Sequence, residues 1–110
     1  LKLYIRKLLS SHASLNLATR KDGSRMLTGR AVEVISLNRL LLQECCPALR
    51  RYYVEGEHFL EFKEIEELAV SINFLKSHPR VAQTICSQGH QFYLERYSCR
   101  KMVEHIQTLL

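Results

Sequence analysis

Thr28, Gly29, Arg30 and Glu33 fall within about two helical turns of one another, behind the loop Lys21-Asp22-Gly23-Ser24-Arg25. These residue types in this order suit a phosphate-bearing ligand. A helix opening at Thr28 leaves its first backbone N–H groups without intrahelical acceptors, and its positive end attracts anions. Lys21, Arg25 and Arg30 add full charges that can each meet a diphosphate. Glu33, one turn into the helix, can accept hydrogen bonds from the paired hydroxyls of a ribose. The same spacing also suits a plain surface helix on which Glu33 pairs with Arg30 three residues away. Both readings stay open on the residues alone. His12, His58, His78, His90 and His105 form no i, i+4 pair and no cluster with cysteine, so no metal site is expected.

The charge distribution favours the same region. Residues 1–55 hold ten Lys/Arg against four Asp/Glu, whereas residues 56–110 hold six against seven, so the basic excess surrounds the loop and helix. Despite the basic balance, the cations are spread over loops and several helices with no stacked aromatic platform and no recognition helix. Nucleic acid is therefore not the expected partner. No apolar run approaches the ~20 residues of a membrane span, and the start Leu1-Lys2-Leu3 lacks the flanks of a signal peptide. Cys45, Cys46, Cys86 and Cys99 match no zinc spacing and read as reduced thiols, which points to a cytoplasmic protein.

The elements that must position these residues alternate between helix and strand. Residues 1–10 form an amphipathic helix with Leu1, Tyr4, Ile5, Leu8 and Leu9 on one face. A strand is expected over 15–18. A helix over 28–37 follows, N-capped by Thr28, with Ala31, Val32 and Ile35 inward and Asn38 at its stop. The run Leu40-Leu41-Leu42 is too short for a helix and too apolar for a surface strand, so 40–43 reads as a buried strand. Pro47 opens a short helix through Arg51, and Glu55-Gly56-Glu57 turns into a strand over 58–62. Helix 64–76 turns Ile65, Leu68, Ala69, Ile72 and Leu75 inward. Helix 79–93 buries Val81, Ala82, Ile85, Phe92 and Tyr93 and carries Gly89, which costs about 1 kcal/mol against Ala unless a neighbour packs closely over it. Ser98 caps a last helix with Cys99, Met102, Val103, Ile106, Leu109 and Leu110 inward. This order predicts an α/β fold: a small three-layer, Rossmann-like half-domain with a three-stranded parallel sheet flanked by helices, in a single domain over 1–110.

From Asp22 onward the sequence resembles the C-terminal part of GT-B fold glycosyltransferases, of the group 1, spore-maturation-protein (CgeB-like) type. The resemblance is carried by Arg30-Ala31-Val32-Glu33, the turn at Asn38-Arg39 and the strand Leu40-Leu41-Leu42-Gln43-Glu44. Pro47-Ala48-Leu49, Glu55-Gly56-Glu57, His58–Phe62, Glu66-Glu67-Leu68, His78-Pro79 and Gly89 then follow in family order. Val32 and Asn38 stand where the family has Phe and Gly. The resemblance implies a nucleotide-sugar donor as substrate, with no cofactor, held by Glu33 at the ribose and by the preceding loop at the diphosphate. It also implies an N-terminal acceptor-binding domain elsewhere in a parent chain, so that this piece alone would not catalyse transfer. The alternative is a non-catalytic Rossmann-like remnant serving as an interaction or assembly module. In either case three parallel strands leave exposed edges, and a homodimer is the expected way to cover them.

Overall fold

The computed structural model describes residues 2, 3, 6 and 13–109. Most of the helix expected over 1–10, and Leu110, lie outside the described residues. Three strands, β1 (Ala13–Asn16), β2 (Leu40–Glu44) and β3 (Leu60–Phe62), form one sheet in the order β1-β2-β3, and both pairings are parallel. Helix α1 (Gly29–Ser36) connects β1 to β2. A 3₁₀ turn at Leu49–Arg51 lies between β2 and β3, and α2 (Ile65–Ser77), α3 (Pro79–Arg96) and α4 (Cys99–Leu109) follow β3. This is the expected α/β half-domain.

The central strand is apolar because both of its faces are covered. Leu41 points into a cluster with Ala31, Val34 and Ile35 of α1 and with Leu49, Tyr53 and Phe59 of the segment before β3. Its neighbours Leu40 and Leu42 point to the opposite face, where they meet Phe62, Leu68 and Ile85. Helix α3 serves both layers: Ile85 packs in the second cluster, and Phe92 and Tyr93 pack against the first. Asn38 has φ 58°, so the stop of α1 does use the left-handed conformation that asparagine tolerates.

The structure corrects several expectations. Strand β1 lies two residues earlier than 15–18: Ala13 pairs with Leu40 and Asn16 with Gln43, after which the chain leaves the sheet. The alternating Leu15 and Leu17 suggested a buried face, yet they are 48% and 62% exposed. Strand β3 starts at Leu60 because Gly56 N–H donates to Phe59 O, which ties His58-Phe59 into a turn. In α1, Val34 takes the buried place assigned to Val32, which is half-buried. In α2 only Leu68 is buried; Leu75 packs in part, and Ile65, Ala69 and Ile72 are exposed, because the short edge strand β3 offers little surface beneath them. In α3, Val81 is exposed and Gly89 is buried. None of the described α4 residues is buried, although Ser98 caps the helix, its Oγ accepting Lys101 N–H at 3.3 Å. Amphipathic periodicity identified these helices correctly but assigned each of them a wide buried face, which among the described residues α2 covers only around Leu68 and Leu75 and α4 does not bury at all.

Candidate functional site

The register of β1 on β2 places Asn16 beside Gln43 at the carboxyl end of the sheet, on the face covered by α1. Both side chains are buried, Asn16 at 3% exposure and Gln43 at 0%. Buried amides must satisfy each other or the backbone, and these do both. Gln43 Nε2 donates to Glu44 O at 3.0 Å, Asn16 Nδ2 donates to Gln43 Oε1 at 2.9 Å, and Asn16 Nδ2 also donates to Thr28 Oγ1 at 3.1 Å. The end of β1 is thereby tied to the start of α1.

Thr28 occupies the N-cap position with extended backbone angles, φ −112° and ψ 156°, but its side chain makes no capping hydrogen bond to the helix. Its oxygen is turned to Asn16 instead. The first N–H groups of α1 therefore lack the side-chain acceptor that an N-cap threonine commonly supplies. A Cβ added to Gly29 would meet nothing within 4 Å, so the backbone there is uncovered. In front of it lies an open cleft of about 540 Å³ lined by Asn16, Leu17, Thr28, Gly29, Arg30 and Glu33. Gly29 and Arg30 are one helical turn ahead of Glu33, which puts the three on one side of the helix.

The loop between β1 and α1 folds as a small hairpin that stands beside this cleft. Met26 N–H donates to Ala18 O, Thr19 and Arg25 form an antiparallel bridge, and Asp22 Oδ1 accepts from Ser24 N–H and Oγ–H at 2.9 and 2.6 Å. Glu44 holds its base: Oε1 accepts from Ala18 N–H at 2.8 Å, Thr19 N–H at 2.6 Å and the Thr19 hydroxyl at 2.7 Å. The Thr19 hydroxyl, with the two amides and nearby Arg25, outweighs the effect of burial and holds the Glu44 carboxyl below the usual glutamate value.

Four of the six residues expected at the site, Thr28, Gly29, Arg30 and Glu33, thus line one cleft. Arg25 is drawn over the end of β2, where Nη1 donates to Cys45 O at 2.7 Å, and Lys21 sits in the exposed hairpin turn; neither lines the cleft. Sequence reasoning did not single out Asn16, Leu17 or Gln43, and gave Glu44 no role beyond ending the strand. A signal existed for two of them: an amide between two leucines, and another at the end of an apolar run, each close to the carboxyl end of a strand. Among the described residues no three His, Cys, Asp or Glu side chains form a metal-ligand group, and no helix is long and apolar enough to cross a membrane.

A family described as glycosyl transferase-like matches residues 3–108, nearly the whole chain. The chain belongs to that family. No curated protein and no solved structure matches it significantly. The family match spans β1, the hairpin, α1 and every later element, so the cleft lies inside the matched region.

Proposed function

We propose that this chain is the donor-binding part of a glycosyltransferase, taking a nucleotide-activated sugar in the cleft at the start of α1. The diphosphate lies against Thr28 and the N–H groups of Gly29 and Arg30, with the Arg30 guanidinium beside it. Glu33 accepts from the ribose hydroxyls. Arg25 and Lys21 contribute positive charge from the hairpin rather than direct contact. The observation that carries this reading is the gathering of Thr28, Gly29, Arg30 and Glu33 around one open cleft at the carboxyl end of a parallel sheet, in a member of a glycosyl transferase-like family. The finer assignment, to the GT-B fold and its spore-maturation-protein type, rests on the sequence resemblance. So does the expectation that the acceptor site belongs to another domain.

Titration of ADP, GDP and UDP tests the reading. At least one is expected to bind, and Glu33→Ala should weaken it by about 1.5–3 kcal/mol, the range for a hydrogen bond to a charged group. Unchanged affinity in a folded variant would reduce Glu33 to a surface residue. The second reading, a non-catalytic assembly module, is favoured by a different observation: Met102, Val103, Ile106 and Leu109 on α4 are all at least half exposed. Absence of binding by all three nucleotides would favour it.

A further inference from the structure

The hydrogen-bond chain beneath the cleft has a fixed direction. Glu44 O is a backbone carbonyl and can only accept, so the Gln43 atom facing it must be the amide nitrogen; Gln43 Oε1 is then the atom that faces Asn16. An amide oxygen also only accepts, so Asn16 must present Nδ2 to it. The second N–H of Nδ2 goes to Thr28 Oγ1. Thr28 Oγ1 is thereby an acceptor on its inner side, and its own proton is left to be donated elsewhere. The helix takes no capping bond from this side chain. Asn16 Oδ1 has no hydrogen-bond donor among the described residues, on a side chain that is 3% exposed and lines the cleft.

We propose that Gln43 and Asn16 are positioning residues that set the polarity of the site, making the Thr28 hydroxyl a donor to a ligand phosphate oxygen and leaving Asn16 Oδ1 as an acceptor for a ligand hydroxyl. This inference rests on the donor-site reading and deepens it. An anionic group meets Thr28 O–H and the N–H groups of α1, while a hydroxyl of the same ligand meets Asn16. The direction of the relay therefore selects a ligand that offers phosphate oxygens at the helix start and a hydroxyl toward the end of β1. It disfavours one with those groups exchanged.

The test uses inorganic pyrophosphate and whichever of ADP, GDP and UDP binds the unaltered chain. Thr28→Val keeps the shape and removes the hydroxyl, and it should lower affinity for both probes about tenfold or more in a variant that stays folded; its thermal midpoint should fall modestly, because Asn16 Nδ2 loses one of its two acceptors. Thr28→Ser restores the hydroxyl and should restore the affinity. Asn16→Asp replaces the amide donor with a carboxylate, which should reverse the Thr28 hydroxyl toward Asn16 and repel the phosphate, again weakening both probes. Thr28→Val binding as the unaltered chain, or a loss that Thr28→Ser fails to restore, overturns the relay and leaves the donor site standing. Failure of every nucleoside diphosphate to bind the unaltered chain overturns the donor site, and the relay with it.

Discussion

Gly89 illustrates how one residue can be held by its lack of a side chain. It lies inside α3, where glycine costs about 1 kcal/mol relative to alanine. Yet a Cβ placed on it would come within 2.8 Å of His58 O, a backbone atom, and 3.4 Å of Ile35 Cγ2. No flexible side chain can move aside. Overpacking of this kind costs about 1–3 kcal/mol, so the contact outweighs the gain in helix propensity. Gly89→Ala is expected to lower the stability measured by denaturant titration; an unchanged or higher midpoint would show that α3 can shift away from the turn before β3. The close approach is also what lets α3 reach both layers of the core.

At the scale of elements, the turn between the 3₁₀ segment and β3 is docked through His58. Its ring is stacked on Phe92 with centroids 4.3 Å apart, meets Tyr53 edge-on, and accepts Val54 N–H at Nδ1 at 3.0 Å. That bond requires the neutral ring with its proton on Nε2. Burial pushes the His58 value below 6.5 despite the opposing charge of Glu57, and the Arg96 guanidinium lies 4.8 Å from the Phe92 ring on which His58 stacks. A histidine whose folded-state value is depressed binds its proton more readily when unfolded. Its contribution is therefore full above about pH 6.5, and is lost as the pH falls through that value toward the folded one. Unfolding midpoints should drop between neutral pH and pH 5 by more in the native chain than in His58→Phe, which keeps the stacking but cannot titrate. Parallel curves would mean that His58 carries none of the dependence.

At the scale of the whole molecule, the balance of covered and bare apolar surface is uneven. The faces of β2 are closed, whereas Leu15 and Leu17 on one side, Ile65 and Val70 on α2, and the stripe Met102, Val103, Ile106 and Leu109 on α4 all lie open among the described residues. Exposed apolar faces of this kind draw partners, and β1 and β3 are both sheet edges among the described strands. We expect the 110-residue chain to self-associate, with exchange between two copies as the simplest closed arrangement. Light scattering at micromolar concentration should give a mass near twice 12.9 kDa; a value of 12.9 kDa would exclude it.

The sequence by itself determined the kinds of element and their order, because hydrophobic period, Pro and Gly positions and the apolar run at Leu40-Leu41-Leu42 are local properties of the chain. Parallel pairing followed from the helices and long connections between strands, and membership of a glycosyl transferase-like family, though not a finer type within it, was legible from an ordered set of short motifs ending near Gly89. The start of α1 and the place of Glu33 on it were legible for the same local reason. What only the tertiary structure decided was which apolar faces are covered, since α2 and α4 carry sound amphipathic patterns that find little to bury against. It also decided the strand register. Moving β1 back to Ala13–Asn16 set Asn16 opposite Gln43 and took Leu17 out of the sheet. No local signal encodes that pairing, because it joins residues 27 positions apart through one hydrogen bond between buried amides. Asn16, so placed, also donates to Thr28 Oγ1 and lines the cleft with it.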